Sequence, residues 1–455
     1  MHNTFDESSN LSIIRHGIAS GLAVVLALLL TACQPTPESV AVIQAGDFLE
    51  NLQEVPFEPY EAPEHVNDSK TKNGLAITFD AEVIVPEASA YSIVELEQVK
   101  YTEAEYAALM DFFVPGANWI SSMQQTKADL IEMNYRIQSS DRYTESEKKE
   151  HDRTIQEDLL LAPESVTQTP FDLAAAYADG RGSAWCPQEG SNASFAFNKA
   201  LGSWQYQREA QTYVQIKDFL TPDVTESDAF MLEDFDRDPE ITQEDALAAA
   251  QELLRELKLT GFALYSAAKG IAYEYREPIT YGWQFIFTRE SCGLQTQYEF
   301  QGWKTWKNSP PPAYVSPWNE EVVSVFVDAN GVYTCGVRGL ARQTEVLYEN
   351  VALLPFDMLL ERIERQMVYQ HASQGEGVSK QAVEIQSISL YLSMINIKDK
   401  LGYGMLIPSW TVEYIFSYEL NGVEERYTNS TIFNAIDGSY IEPRAPLETL
   451  SRQTN

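Results

Sequence analysis

The sequence predicts an α+β protein in which helices pack on antiparallel sheets. Three observations carry this. Short runs of alternating β-branched and aromatic residues lie between tight-turn dipeptides. Amphipathic stretches open on capping threonines, as at Thr102, Thr144 and Thr242. An order of one helix and then several strands occurs twice in the C-terminal half.

The elements follow in chain order. Leu75 to Val85 and Tyr91 to Leu96 alternate as strands. Thr102-x-x-Glu105 then opens a helix whose Tyr106, Leu109, Met110 and Phe113 recur at helical spacing. Met123 to Gln138, and a second arm from Thr144-x-x-Glu147 to about Leu161, read as a charged helical hairpin. Lys148, Lys149 and Arg153 on it read as a solvated face or a contact for an acidic partner. Gly180 to Cys186 is glycine-rich and reads as an exposed loop. Ser194 to Lys217 returns to strands, and Glu226 to Glu240 reads as an acidic linker.

A strong helix follows from Thr242 to Leu257, with Ala246, Leu247, Ala250, Leu253, Leu254 and Leu257 on one stripe. Strands are expected at 261–266, 282–288, near 295–304 and at 322–328. Asn330-Gly331 is expected to form a type I′ turn into Val332 to Val337. The second round has a helix at 356–368 and strands at 383–395, 410–420 and 424–436. Its turns are Asn421-Gly422 and Asp437-Gly438. Setting Gly331 against Gly438 aligns Phe326 with Phe433 and Tyr333 with Tyr440, and Trp283 echoes Trp410. The chain therefore divides into a leader, 1–32; an acidic, proline-containing tether, 33–73; an α+β domain with the helical hairpin, 74–225; and two helix-plus-sheet units, 240–345 and 352–445.

Composition bounds the function. The 455 residues hold 67 Asp and Glu against 32 Lys and Arg, a formal net charge of −35. Such a surface repels a phosphate backbone, so nucleic acid is excluded as a partner. Aromatic residues make up 11% of the chain, enough to build packed cores.

Gly17 to Leu30 is an apolar run behind Arg15 and His16. It is shorter than the ~20 residues that cross a bilayer and has the length of a signal-peptide core. It ends in Leu30-Thr31-Ala32-Cys33, which resembles the lipobox of bacterial lipoproteins. The resemblance implies that the Cys33 thiol forms a thioether to diacylglycerol and becomes the mature N-terminus, later palmitoylated. The n-region departs from the usual pattern, since it holds Asp6 and Glu7. The alternative is an ordinary signal peptide or short anchor with an incidental cysteine.

Ile241-Thr-x-Glu-x-Ala at a helix start, with Val327-Asp-Ala-Asn-Gly331 and Asn434-Ala-Ile-Asp-Gly-Ser-Tyr-Ile441 at turns, resembles PepSY-type domains. These are small non-catalytic units of extracytoplasmic regulators in Gram-positive bacteria. The whole layout is similar to an uncharacterised lipoprotein family of Gram-positive anaerobes.

His65, His151 and His371 follow the leader, none paired at metal spacing, and H-E-x-x-H, G-x-S-x-G and P-loop patterns are absent. Cys186, Cys292 and Cys335 fit no zinc pattern. Cys292 and Cys335 fall in one expected sheet, which leaves a bridge or two reduced thiols open. Asp234, Asp236 and Asp238, with Asp245 further on, resemble a calcium loop. Pro239 stands where the sharp turn needs glycine, and the default is an acidic linker entering a capped helix. Trp303, Trp306 and Trp318, near three prolines, suit either core packing or a grip on sugar or peptide.

These readings predict a lipid-anchored extracytoplasmic protein that binds or regulates an envelope protein or peptide. No catalytic residue, metal or cofactor is assigned, and Cys33 is the one assigned site. The alternative is a cell-surface hydrolase or carbohydrate-binding lipoprotein.

Overall fold

The computed structural model describes residues 49 and 52–441, apart from 122–124, 166–167, 189–190, 218–228, 299–320, 373–376 and 397–401. The expected leader, Cys33 with the first part of the expected tether (33–48, 50 and 51), and Trp303, Trp306 and Trp318 lie outside the described residues. Among the described residues, no helix is long and apolar enough to cross a membrane.

Strands β1 (His65–Lys72), β2 (Leu75–Ile84) and β3 (Ile93–Gln98) come first. Helices α1 (Glu103–Phe113), α2 (Lys127–Ser139), α3 (Glu145–Leu159) and α4 (Leu173–Ala178) follow. The next strands are β4 (Arg181–Gln188), β5 (Ser191–Asn198), β6 (Ser203–Gln207) and β7 (Tyr213–Ile216). After α5 (Ala229–Asp234) and α6 (Gln243–Glu256) come β8 (Phe262–Glu274), β9 (Glu277–Ser291) and β10 (Leu294–Gln295). Next are β11 (Val322–Asp328), β12 (Gly331–Arg338) and β13 (Ala341–Tyr348). Helix α7 (Phe356–His371) leads to β14 (Val378–Asn396), β15 (Tyr403–Leu420), β16 (Val423–Asn434) and β17 (Tyr440–Ile441).

The architecture is α+β, built on two sheets. The first runs β1-β2-β14-β15-β16-β17, with β3 joining β15 to β13. Within it β2 and β14 pair in parallel. The second runs β4-β5-β6-β12-β11-β9-β8-β7, antiparallel throughout, with β10 beside β9. Residues 74–225 contribute to both sheets.

Local chemistry explains the helices. Thr102, Thr126 and Thr144 each close a capping box, and Thr242 accepts from Asp245 N. The α6 stripe buries Ala246, Ala250, Leu253 and Leu254 against Phe285, Phe287, Val323 and Val325. The α7 stripe buries Leu359, Ile363 and Met367 against Trp410 and Val412.

Four expectations are corrected. Residues 181–188 form a strand paired along β5, with Ala184 and Cys186 buried, not an exposed loop. The tether's last residues form β1, because they can zip onto β2 through the Asn73-Gly74 turn. The acidic linker holds helix α5, whose Asp234 pairs with Arg142 and whose neighbour Phe235 is buried. At Asn330-Gly331 only Gly331 is left-handed (φ 101°), so the turn ends in a glycine bulge rather than type I′. Asn421-Gly422 does have φ of 52° and 86°, as type I′ requires.

Both C-terminal segments run helix, then a four-stranded antiparallel meander: α6 with β8-β9-β11-β12, and α7 with β14-β15-β16-β17. Their register differs from the sequence alignment by one residue. Trp283 faces Val327, and Trp410 faces Phe433. Val327, not Phe326, is therefore the counterpart of Phe433. The faces agree, since Val327 and Phe433 pack on the helix side while Phe326 packs with Tyr333 on the far side. Asp328 and Asn434 then coincide, and each accepts from the backbone N–H two residues on, Asn330 and Ile436. The second turn holds one extra residue before its glycine.

Candidate functional site

Among the described residues, helix α7 runs over one face of the first sheet as far as His371. Beyond it, the outer parts of β14, β15 and β16 run on as an arm of three paired strands. Alternation places Tyr414, Phe416, Tyr418 and Leu420 on the helix side of β15. The register sets Phe416 opposite Tyr427, Tyr418 opposite Glu425, and Leu420 opposite Val423. Aromatic rings therefore continue along the same face of the sheet past the end of the helix.

The rings form a contiguous row. His371 stacks on Phe416 at 4.1 Å, Phe416 meets Tyr418 at 5.3 Å, and Tyr418 stacks near Tyr427 at 6.0 Å. The inner end is more buried: His371 Nε2 lies 3.0 Å from the Tyr414 hydroxyl, and burial lowers its pKa to about 4. The ring is thus neutral near pH 7. The outer end is wet, with Tyr427 48% and Val423 60% exposed. The Tyr427 hydroxyl donates to Glu425 Oε2 at 3.1 Å. Its pKa is pushed up to about 12 by hydrogen bonding with Tyr418 and Glu425. Arg426 pairs with Glu384 at 2.8 Å, and Lys380 pairs with Glu419. This arrangement can stack on a flat or apolar group and can accept hydrogen bonds from, or pair with, a donor beside it.

The structure scatters the other candidates. His65 lies 2.9 Å from Asp80 on an exposed strand, and His151 meets the edge of Tyr143. Cys186, Cys292 and Cys335 are free thiols, with Cys186 and Cys335 buried, so the 292–335 bridge is not formed. Burial pushes both of those thiols upward. The calcium-like string does not converge: Asp234 binds Arg142 and Tyr273, Asp238 binds Lys269, and Asp245 caps α6. Among the described residues, no three His, Cys, Asp or Glu gather as a metal site. A shallow groove of about 750 Å³ follows α3, but Arg153 there is shared between Glu150 and Glu157. Another, of about 580 Å³, lies between α1 and residues 116–120, lined by Met110, Trp119 and Phe171.

Sequence reasoning missed the aromatic row. The signal was present as Tyr414, Phe416 and Tyr418 at period two, facing Tyr427 across Asn421-Gly422. What was hidden was the point at which α7 stops covering them.

No family model matches the chain, and no curated protein matches it. Among solved structures, it is similar to an uncharacterised protein from Eubacterium rectale, at 12% identity and a TM-score of 0.40. That match covers 84% of this chain and 94% of the other.

Proposed function

We propose that this chain is a membrane-anchored extracytoplasmic lipoprotein, held by lipid on Cys33, that binds or regulates an envelope protein or peptide without turning it over. The two helix-plus-meander segments act as PepSY-like units. The observation that carries the binding role is the row Phe416, Tyr418 and Tyr427, partly buried at the first two rings and 48% exposed at Tyr427, which stands past the end of α7 with carboxylates beside it. The anchoring role rests on Leu30-Thr31-Ala32-Cys33. A sugar ring stacked on the same tyrosines is the second reading, since aromatic faces and acceptor carboxylates also suit hydroxyl-rich rings.

Two experiments test this. Metabolic labelling with a palmitate analogue should mark the wild type and not Cys33→Ala; equal labelling of both removes the anchor. Pull-down from envelope extract with the wild type and Tyr427→Ala, beside a broad hydrolase screen, tests the role. Saturable capture that weakens in Tyr427→Ala, without turnover, is expected. Turnover that disappears on replacing one buried carboxylate, with the fold intact, reverses the assignment.

A further inference from the structure

The two meanders end their sheets differently. In the first, β11 is paired on both sides, by β9 and by β12. In the second, β16 pairs with β15 from Val423 to Asn434, but β17 meets only Ile432 and Phe433. Over residues 423–429, β16 is therefore bonded on one side among the described residues. Val423, Glu424, Arg426, Tyr427, Thr428 and Asn429 are all exposed.

The register also gives the direction of the open groups. Ala435 N donates to Pro408 O on the β15 side, and Asn434 N donates to Ser439 O on the β17 side. Alternation along an antiparallel strand carries the outward pattern to Thr428, Arg426 and Glu424. Their N–H and C=O groups point away from β15, as an edge strand presents them.

We propose that the β16 edge from Val423 to Asn429 takes an extended peptide segment of a partner protein as an added strand, and that this segment alternates basic and apolar residues. The proposal rests on the reading of the chain as a binding module and supplies its mode of recognition. Backbone groups of Glu424, Arg426 and Thr428 give the ladder, and side chains give the selectivity. On the helix side, an apolar side chain of the added strand packs beside Tyr427, next to Phe416 and Tyr418. Glu424, on the opposite face, favours lysine or arginine there. The arm's own cations are engaged, Lys380 with Glu419 and Arg426 with Glu384. A chain of net charge −35 draws in a cationic segment and repels an anionic one.

The test uses the full chain and fluorescence anisotropy. The probe is a fluorescein-labelled ten-residue peptide of lysine alternating with valine and threonine. Binding is expected, with at least tenfold loss when every lysine becomes glutamate. N-methylation of one alternate set of its backbone amides should weaken binding at least tenfold, and methylation of the other set should not. Thr428→Pro should lose at least tenfold while Thr428→Val binds as the wild type. The proline replaces an outward N–H on an edge, so the β15 pairing and the fold are kept. Equal binding by both N-methylated peptides and by Thr428→Pro overturns the proposal. So does equal binding of the glutamate peptide, or binding that appears only after residues 442–455 are removed, since the edge would then be filled by the chain itself. If wild type and Thr428→Pro capture an envelope partner equally, the binding role stands and the edge proposal alone falls.

Discussion

His371 shows how one side chain links packing to pH. Burial against Phe416 and Tyr414 lowers its pKa from 6.5 to about 4. The unfolded chain therefore binds a proton between those values while the folded chain does not. Stability from this group is complete above 6.5 and declines as pH falls toward about 4. Denaturant titrations should show the wild type gaining about 2 kcal/mol more than His371→Phe between pH 4 and 6.5, a figure discounted for the ring's partial exposure. Parallel pH profiles for the two proteins would contradict this. Gly282 offers a steric case. A Cβ there would stand 2.2 Å from Val327 O, so Gly282→Ala should cost about 2–3 kcal/mol in urea unfolding. Its counterpart in the second meander is Ser409, which faces Asn434 as Gly282 faces Asp328 and accommodates a side chain. A cost below about 0.5 kcal/mol at Gly282 would place it among ordinary surface changes and refute the close approach.

At the scale of elements, the β8–β9 hairpin holds the helical hairpin α2–α3 in place. Its turn residues Tyr275 and Arg276 have φ of 48° and 64°, a left-handed pair usually filled by asparagine and glycine. Such a conformation costs bulky residues about 1–2 kcal/mol each. The contacts it brings offset that cost: Tyr275 packs with Leu130, Ile137 and Ile155, while Arg276 binds Glu147 and the Arg142 carbonyl. The Arg276 guanidinium, with the Thr144 N–H, lowers the Glu147 carboxyl to about 2. This latch is present above pH 4.5 and is lost as pH falls through about 2. Arg276→Gly should relax the turn yet speed amide exchange across residues 127–159 several-fold, without lowering the melting temperature of the sheets. Unchanged exchange would mean that the latch carries nothing. The caps at Thr102, Thr144 and Thr242 were legible in sequence, because each acts on a residue three positions away. The latch was not, because Arg276 and Glu147 meet only after β8 and β9 have paired.

At the scale of the molecule, one buried ion pair ties the two sheets. Arg289 and Glu321 pair at the end of β9 and just before β11, and both bind the backbone of Ala341, where the chain enters β13. The pair lies at the register position that Phe416 and Tyr427 occupy in the second meander. Burial pushes the Glu321 carboxyl upward against the lowering effect of Arg289. Removing one partner strands the other, so Glu321→Gln should cost about 3–5 kcal/mol. The paired change Arg289→Met with Glu321→Leu should recover most of it. Fluorescence and circular dichroism transitions that stay coincident and unshifted in Glu321→Gln would show that the sheets are joined by other means.

The sequence by itself determined what depends on neighbours in the chain: the α+β class, the capped helices, the Asn421-Gly422 hairpin and the strongly acidic charge. It also carried Leu30-Thr31-Ala32-Cys33, whose resemblance to a lipobox is what the anchoring proposal rests on. Tertiary structure decided what depends on residues far apart. Residues 181–188 look like a loop until β5 pairs with them and buries Ala184 and Cys186. Ala76 to Ile84 joins Ala382 to Ser389 in parallel across some three hundred residues, which no local pattern specifies. A one-residue slip reverses which face a side chain occupies, so aligning turns put Phe326 in the place that strand pairing gives to Val327. The aromatic row and the open edge of β16 arise in the same way. Hydrogen bonds within a turn or cap are set by a few adjacent residues, whereas the end of a helix over a sheet is fixed only when the whole sheet is assembled.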